Sequence, residues 1–148
     1  MKVQGIMSTD VACCTPETRL SEVAKLMVDY DCGEIPVIDS STRHPIGVVT
    51  DRDIVVRAVA LNRNPLEMGA RECMTSPAVT VNPETDLDDC LDMMEKHRVR
   101  RIPVVDSSGA ICGIVSQADI ARHASKGDTA KVVKKVSEET PEPVHVGR

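Results

Sequence analysis

Apolar positions in the first 60 residues alternate between a helical spacing and short continuous runs. A helix is predicted from about residue 19 to 31, because its apolar residues recur every three or four positions, at Leu20, Val23, Ala24 and Met27. Short apolar runs, which are typical of buried strands, occupy 11–14, 35–38 and 46–49. A second helix is predicted from Asp51 to about Ala60. The predicted order is strand, helix, strand, strand, helix.

The second half of the chain repeats this order of elements. Residues 35–39 (IPVID) return 67 positions later at 102–106 (IPVVD), and after a loop the offset falls to 66, where 47–54 (GVVTDRDI) matches 113–120 (GIVSQADI). A loop tolerates a one-residue change at little cost. The pattern predicts an α/β (α+β) fold of two β-α-β-β-α repeats related by a pseudo-two-fold axis. Two related clefts are expected between the repeats.

The repeats define the expected division of the chain. The first is predicted to occupy residues 1–60 and the second 73–124, with a linker at 61–72 that contains Asn, Pro and Gly. Each repeat is close to the lower size limit for an independent core, so the two are expected to pack face to face. The tail at 125–148 is expected to be partly disordered, with a short helix at 129–136.

Composition narrows the possible functions. The chain has 148 residues and a net charge of −5, with one Tyr and no Phe or Trp. Duplex nucleic acid is bound by basic surfaces, and single strands are bound by stacking on aromatic rings, so nucleic acid is not an expected partner. No apolar run approaches the length of a membrane-spanning helix, and the N-terminus has no secretory pattern. The protein is therefore expected in the cytoplasm, without a membrane partner.

The chain lacks the sequence patterns of common catalytic and metal sites. It contains no nucleophile elbow, no Walker A loop, no G-x-G-x-x-G and no H-E-x-x-H, so no enzyme activity, catalytic residue or metal ligand is predicted. Its six Cys form no C-x-x-C pair and lie mostly in apolar runs, which favours free thiols that pack as small core residues. A redox or metal-sensing role for these thiols stays open as an alternative.

A Ser/Thr-x-x-Asp pattern follows the third strand of each repeat, as Thr50-x-x-Asp53 and Ser116-x-x-Asp119. One interpretation is a capping box, in which the hydroxyl accepts a hydrogen bond from an unpaired helix amide. The other is ligand binding, because a helix N-terminus attracts phosphate and a carboxylate accepts hydrogen bonds from ribose hydroxyls. The two roles are compatible if the hydroxyl caps the helix and the carboxylate is left free.

The order of elements, the apolar-Pro dipeptides and the Gly-x-x-Ser/Thr-x-x-Asp segments resemble the CBS domain, and both repeats carry the full motif between about Gln4 and Ala124. Two CBS domains in tandem are known as a Bateman module. The layout is similar to that of small stand-alone bacterial CBS-pair proteins of the hypoxic response protein type. The resemblance implies a signalling or allosteric module that binds AMP, ADP, ATP or S-adenosylmethionine as a regulatory ligand. No cofactor is required by this interpretation.

The resemblance also implies which residues form the sites. Asp53 and Asp119 would hold ribose, and Thr50 and Ser116 would lie near phosphate. The adenine wall would come from the apolar-Pro segments and the first strands, at Gly33, Ile35, Pro36, Ile102, Pro103, Val11 and Ala78. A plain strand-core role for the aliphatic members is the alternative. The sequence leaves open which repeat supplies the wall of which cleft.

Basic residues are distributed unequally between the repeats. Arg100 and Arg101 stand in the second repeat where related modules place residues that reach phosphates, and a solvated or ion-paired surface is the alternative. The first repeat has Gly33 and Glu34 at these positions and only Arg52 nearby. We therefore expect tight nucleotide binding at the cleft served by the arginines, and weaker binding, no binding or a less negative ligand at the other.

Two protein partners are expected besides an adenosine-containing small molecule. The apolar residues Val55, Val56 and Val59 exceed what one buried helix face can cover, so a homodimer through the repeat helices is expected. A regulatory module also implies an effector protein, which the sequence does not identify. The alternative functions are a dimeric interaction or stress-response protein with no nucleotide ligand, and a cysteine-based redox or metal sensor.

Overall fold

The computed structural model describes residues 1–123, which contain two copies of the same set of helices and strands. The first repeat contains α1 (Leu20–Asp29), β1 (Glu34–Ile38), β2 (Pro45–Thr50) and α2 (Asp51–Arg57). The second contains α3 (Leu87–His97), β3 (Arg101–Val105), β4 (Ile111–Ser116) and α4 (Gln117–His123). The predicted α/β class and the two repeats are confirmed. The predicted tail, including the helix expected at 129–136, lies outside the described residues.

The helix α2 is shorter than predicted. It ends at Arg57 because the backbone of Ala58 leaves the helical region, with φ −123° and ψ −68°. A 3-10 turn follows at Val59–Leu61, so the chain continues past the predicted end without extending the α-helix. The apolar side chains that were expected on one helix are therefore divided between α2 and this turn.

Each repeat contains an antiparallel pair of strands with the same register. β1 pairs with β2 and β3 pairs with β4, and an irregularity in register precedes the last residue of β1 and of β3. The predicted first strands at 11–14 and 78–81 are reduced to one parallel bridge each, at Cys14 and Val81. The duplication seen in the sequence is therefore also a duplication of backbone pairing.

Each repeat has its own core, filled by aliphatic side chains and Cys. The buried residues of the first core lie on α1, on both of its strands and in the linker. Those of the second lie on α3, on its strands, on α4 and near the N-terminus. Apolar residues at helical spacing are buried on both helices, at Leu20, Val23, Leu87, Cys90, Leu91 and Met94. Of the other residues predicted on the apolar face of α1, Met27 is half-buried and Ala24 is exposed.

The first residues of the chain pack on the second repeat rather than on the first. Val3 and Ile6 are buried in the core of the second repeat. Ser8 forms an antiparallel bridge with Ile114 of β4. We call residues 1–8 the first crossing segment, because the chain leaves the second repeat after Ser8 and enters the first.

The equivalent segment before the second repeat does the reverse. Ala70 and Cys73 are buried in the core of the first repeat, and Thr75 forms an antiparallel bridge with Val48 of β2. We call residues 68–75 the second crossing segment. Because the repeats exchange these segments, the residues that follow each of them (8–12 and 75–79) lie at the boundary between the repeats. We call these the two leading segments.

Two glycines allow the crossing segments to approach the strands closely. A Cβ on Gly47 would lie 2.6 Å from the carbonyl oxygen of Thr75. A Cβ on Gly113 would lie 2.8 Å from Met7 Sδ and 3.0 Å from the carbonyl oxygen of Ser8. These are the glycines that open the repeated Gly-x-x-Ser/Thr-x-x-Asp segments, so the first position of the motif is required by backbone packing.

Candidate functional site

Both Ser/Thr-x-x-Asp segments form capping boxes, at the start of α2 and of α4. The amide of Asp53 donates to Thr50 Oγ1 at 3.0 Å, and the amide of Thr50 donates to Asp53 Oδ2 at 3.0 Å. The amide of Asp119 donates to Ser116 Oγ at 3.0 Å, and the amide of Ser116 donates to Asp119 Oδ2 at 2.9 Å. The capping interpretation is confirmed for both segments.

A double role in capping and ligand binding was predicted to need a free carboxylate. Both carboxylates instead form a further hydrogen bond besides that of the cap. Asp53 Oδ1 accepts a hydrogen bond from Thr75 Oγ1 at 3.2 Å. Asp119 Oδ1 accepts one from Arg122 Nη2 at 2.6 Å. In each carboxylate Oδ2 is committed to the cap, whereas Oδ1 pairs with an exposed side chain. Because a carboxylate oxygen has two lone pairs, Oδ1 retains the capacity to accept a further hydrogen bond.

One cavity of about 450 Å³ lies between the repeats beside the cap of α4. We call it the acidic cleft. It is lined by the first leading segment, by the turn between α1 and β1, and by the end of β4 with the start of α4. The lining residues are Ser8, Asp10, Val11, Ala12, Tyr30, Asp31, Cys32, Glu34, Arg101, Ile114, Ser116, Ala118, Asp119 and Arg122.

The equivalent position beside the cap of α2 holds two adjoining cavities, which we call together the arginine cleft. The larger, of about 380 Å³, is lined by Gly33, Glu34, Thr50, Asp51, Arg52, Arg98, Arg100 and Arg101. The smaller, of about 240 Å³, is lined by Glu34, Val48, Thr75, Pro77, Val79, His97, Val99, Arg101 and Pro103. The two share Glu34 and Arg101. A polar compartment and a mainly aliphatic compartment therefore meet at these two residues.

Each cleft joins the helix cap of one repeat to the leading segment of the other. In the acidic cleft, Ser116 and Asp119 of the second repeat face residues 8–12. In the arginine cleft, Thr50 of the first repeat shares the site with residues of the second leading segment. Sequence reasoning left this pairing open, because it depends on the exchange of the crossing segments.

The structure places some of the predicted ligand-binding residues on the clefts and others inside the repeats. Val11, Gly33, Pro103, Arg52, Arg100 and Arg101 line the clefts together with Thr50, Ser116 and Asp119. Asp53 is not among the lining residues, but it hydrogen-bonds to Thr50 and Thr75, which are. Ala78 is half-buried and is not a lining residue either. The side chains of Ile35, Pro36 and Ile102 are fully buried in their strands.

The charges of the two clefts are opposite in balance. The acidic cleft is lined by four carboxyl groups and two guanidinium groups, from Asp10, Asp31, Glu34, Asp119, Arg101 and Arg122. The larger cavity of the arginine cleft is lined by four guanidinium groups and two carboxyl groups, from Arg52, Arg98, Arg100, Arg101, Glu34 and Asp51. The arginines of the second repeat therefore stand beside the cap of the first repeat, together with Arg52.

Glu34 is the most unusual acid of the described chain. It is buried, with 9% of its surface exposed, and its Oε2 has no hydrogen-bond partner within residues 1–123. Burial raises the pKa of the Glu34 carboxyl to about 7; the Arg101 guanidinium opposes this rise, and the Asp53 carboxylate adds to it. The sequence showed Glu34 only as an acid at the position that Arg101 occupies in the second repeat. Its burial could not be read from a charged residue at the edge of a strand.

The cysteines are free thiols, and three of them are buried. Burial raises the pKa of the Cys14 thiol to about 12 and that of Cys90 to about 11, so the reactive thiolate form is disfavoured at neutral pH. Within residues 1–123, no group of three or more His, Cys, Asp and Glu residues is arranged to hold a metal ion. In the same range no helix has the length and apolar character needed to span a bilayer.

Several apolar side chains near α2 are exposed. Val55, Val56 and Val59 are each about half exposed, and Leu61 and Leu66 are more exposed still. They follow one another along α2, the 3-10 turn after it and the linker. The surplus of apolar residues noted in the sequence is therefore present as an exposed apolar surface, which we call the α2 surface.

Comparison with known proteins gives consistent matches along both repeats. The family model of the CBS domain matches residues 3–59 and 70–126. The chain is 34% identical over 133 residues to hypoxic response protein 1 of Mycobacterium tuberculosis, a match that covers 90% of this chain and 92% of that protein. It is 31% identical over 120 residues to the uncharacterised protein MK0525 of Methanopyrus kandleri, of which the match spans 61%.

Solved structures with the same fold include two with ligands. The crystal structure of hypoxic response protein I, with two coordinated zinc ions, has a TM-score of 0.76 and 33% identity, and the match covers 84% of this chain and 100% of that one. The CBS domain pair of protein MJ0100, in complex with 5′-methylthioadenosine and S-adenosyl-L-methionine, has a TM-score of 0.73 and 26% identity. That match covers 82% of this chain and 94% of that one.

Proposed function

The chain belongs to the CBS domain family as a tandem CBS pair, a regulatory type of module, and we propose that it senses adenosine-containing ligands in the clefts between its repeats. One observation carries the proposal: each cleft joins the helix cap of one repeat to the leading segment of the other. A ligand that spans such a cleft contacts both repeats. Its binding is therefore coupled to their relative position, as a regulatory ligand requires.

The arginine cleft has the parts that a nucleotide needs, in adjoining compartments. The smaller compartment is walled by aliphatic side chains such as Val48, Val79 and Pro103, which suit a purine face in a chain without Phe or Trp. The larger compartment carries four guanidinium groups, which suit phosphates. Asp53 lines neither compartment, but its Oδ1 accepts a hydrogen bond from Thr75, which lines the smaller one, and retains a lone pair for a ribose hydroxyl. We assign ADP or ATP to this cleft.

The acidic cleft suits a different adenosine ligand. Its lining carries an excess of carboxyl groups, so a polyphosphate there would be repelled. The walls of this cleft at Val11, Ala12 and Ile114 are apolar. Asp119, whose Oδ2 belongs to the capping box, also lines the cleft. We assign to it an uncharged or cationic adenosine compound, such as adenosine or S-adenosylmethionine. The neighbour MJ0100, which was solved with S-adenosyl-L-methionine and 5′-methylthioadenosine, supports this ligand class.

Thermal unfolding with a panel of ligands tests the proposal. A ligand at about 100 times its dissociation constant stabilises the folded state by roughly 2.7 kcal/mol, which is about 5 to 10 °C for a domain of this size. We expect shifts of that order with ATP or ADP and with S-adenosylmethionine, and none with GTP at the same concentration. GTP controls for charge and metal chelation. The absence of a shift with every adenosine ligand at millimolar concentration would contradict the proposal and favour an interaction protein without a nucleotide.

We also propose that the α2 surface is the interface of a homodimer. The observation that favours it is the exposure of five large apolar side chains within residues 55–66: Val55, Val56, Val59, Leu61 and Leu66. Single exposed apolar residues are ordinary, but several close together are typical of an interaction site. Self-association through one patch also suits closed two-fold symmetry.

Light scattering tests the dimer directly. We expect a mass near twice the 16.0 kDa of one chain at micromolar concentration. Val55→Lys with Val59→Lys should yield monomers, whereas Val28→Lys, which alters an even more exposed apolar residue on α1, should leave the dimer intact. A wild-type mass of one chain, or a dimer that survives the double substitution, would contradict this interface.

A further inference from the structure

Glu34 and Arg101 occupy equivalent positions in the two repeats and lie between the two clefts. Glu34 opens β1 and pairs across the strands with Thr50, whereas Arg101 opens β3 and pairs with Ser116. Each is therefore the cross-strand neighbour of a capping residue. Both line the acidic cleft and both compartments of the arginine cleft. Within residues 1–123, these are the two side chains that line all three cavities.

The surroundings of Glu34 allow its carboxyl to be either ionised or protonated near neutral pH. One oxygen, Oε2, is fully buried without a hydrogen-bond partner in the described chain. The Arg101 guanidinium favours the ionised form of this carboxyl, and the like charge of Asp53 on α2 disfavours it. The other charged or titratable groups on the cavities that it lines are Asp10, Tyr30, Asp31, Cys32, Asp51, Arg52, His97, Arg98, Arg100, Asp119 and Arg122.

We propose that Glu34 is a proton-linked binding residue, which takes up a proton from solvent when an anionic adenosine ligand occupies the arginine cleft. This inference rests on the proposed function of that cleft. It adds a role for a residue that neither the capping boxes nor the arginines require. The carboxylate becomes a carboxylic acid in this step, and no other bond forms or breaks.

Two effects of a bound phosphate act in the same direction. The phosphate places negative charge near a carboxylate that is already shielded from water, which disfavours the ionised form. It also engages the Arg101 guanidinium, whose field otherwise favours that form. Protonation additionally turns Glu34 into a hydrogen-bond donor toward a phosphate or ribose oxygen. An uncharged adenosine supplies neither effect.

The size of the linkage follows from the ordinary titration of Glu34. With a pKa of about 7, the carboxyl is about half ionised at neutral pH. Complete protonation on binding therefore takes up about 0.5 proton per ligand at about pH 7. If the bound-state pKa is about one unit higher, the affinity for ADP falls about five-fold between about pH 6 and pH 8 through this residue.

Calorimetric titration of the full chain with ADP tests the inference. The measurement is made at about pH 7 in two buffers of different ionisation enthalpy, Tris and MOPS, so that proton uptake is read from the difference in heat. ADP releases or takes up protons itself, so the quantity of interest is the difference between the wild type and Glu34→Gln. We expect the wild type to take up about 0.5 proton more than Glu34→Gln. Asp92→Asn, which changes an exposed carboxylate of α3 that lines neither cleft, should behave as the wild type does.

A second comparison needs no substitution. Adenosine binding to the wild type should take up less than about 0.1 proton at the same pH, because adenosine brings no negative charge. Equal proton uptake by the wild type and Glu34→Gln, or equal uptake with ADP and adenosine, would overturn the role of Glu34 while leaving the nucleotide site in place. Failure of both ADP and adenosine to bind would overturn the proposed function and this inference together.

Discussion

The two clefts share a backbone plan and differ in charge. Both are bordered by a capping box, and both lie where a crossing segment passes a motif glycine. The turns after α1 and α3 have the same conformation, with φ 50° at Asp31 and φ 55° at Arg98. At these equivalent positions one repeat carries an acid and the other a guanidinium. The same contrast recurs three residues later, at Glu34 and Arg101, and between them Gly33 stands where the second repeat has Arg100.

The difference in charge between the clefts shows which positions are constrained by the fold and which are not. Caps, motif glycines and core residues are determined by hydrogen bonding and packing, so both repeats keep them. The side chains of the turn before β1 and β3 project toward a cleft and are free to differ in charge. Because the repeats exchange their crossing segments, a change in the second repeat alters the cleft beside the cap of the first. A duplicated fold thereby supplies two sites that can recognise ligands of different charge.

The largest expected effect concerns the glycines that permit the exchange of segments. Gly47→Ala places a Cβ 2.6 Å from a backbone oxygen, which can move only with the second crossing segment. The nearest atom to a Cβ on Gly113 is Met7 Sδ, at the flexible end of a side chain. We expect Gly47→Ala to lower the free energy of unfolding by roughly 3 kcal/mol and Gly113→Ala by about 1 to 2 kcal/mol, as measured by urea denaturation.

A matched control for both substitutions is Gly5→Ala. Its Cβ would be 3.8 Å from the nearest atom, Met1 Cγ, so we expect a change within about 0.5 kcal/mol. Equal and small effects at Gly47 and Gly113 would show that the crossing segments do not hold the repeats together as described.

The second effect is the pH dependence contributed by Glu34, which has no counterpart in the second repeat. Its pKa is raised from 4.5 to about 7 in the folded state, so the unfolded chain ionises first. Its contribution to stability is complete below about pH 4.5 and is lost as the pH rises to about 7, by up to about 3 kcal/mol. Glu34→Gln should remove this loss, so its stability relative to wild type should increase between about pH 4.5 and pH 8. Parallel pH profiles for the two proteins would contradict the burial of an ionisable carboxyl.

The third effect separates the clefts by ligand charge. Arg100→Ala with Arg101→Ala removes two of the four guanidinium groups of the larger arginine-lined cavity. We expect the dissociation constant for ATP to rise about 30-fold, which is about 2 kcal/mol, and that for adenosine to change little. Arg63→Ala with Arg71→Ala is the control, because both guanidinium groups are exposed and pair with acids elsewhere. Equal losses for ATP and adenosine in the calorimeter would show that the arginines are structural.

The smallest expected effect tests which cleft is served by each proposed ribose-binding carboxylate, Asp53 and Asp119. An Asn side-chain oxygen can accept the hydrogen bond from the N-cap amide as the Asp carboxylate does, so Asp53→Asn and Asp119→Asn should preserve α2 and α4. We expect Asp53→Asn to weaken ATP by about 1 kcal/mol and to leave S-adenosylmethionine unchanged, and Asp119→Asn to do the reverse. Equilibrium dialysis with both ligands measures this pattern. Loss of ATP binding in Asp119→Asn alone would reverse the assignment of the carboxylates.

The fold was predictable because its signals are local. The helical spacing around Leu20 and Leu87, the apolar-Pro strands and the Ser/Thr-x-x-Asp caps each depend on residues within one turn of chain. Repetition of the elements, at an offset of 67 and then 66 residues, doubled each signal. The end of α2 was not predictable, since it depends on the backbone conformation of one residue, Ala58.

The composition of the clefts was only partly predictable. The contrast between Glu34 and Arg101 is readable from the repeat offset. That both side chains line both clefts is not, because it depends on how the crossing segments bring the repeats together. For the same reason the sequence could not show that Arg100 lines the cavity beside Thr50 and not the one beside Ser116. Ile35 and Ile102 are buried in the cores. The sequence pattern alone allowed either this role or a place in the adenine wall.

The central claim, that one fold presents two clefts for ligands of different charge, is tested most directly by calorimetry with two ligands. The chain is titrated with ATP at low and at high salt, and the ATP-saturated protein is then titrated with S-adenosylmethionine. We expect one class of ATP site whose affinity falls as salt increases, and S-adenosylmethionine affinity that is changed little by bound ATP. Two equal ATP sites, or displacement of ATP by S-adenosylmethionine, would contradict the account.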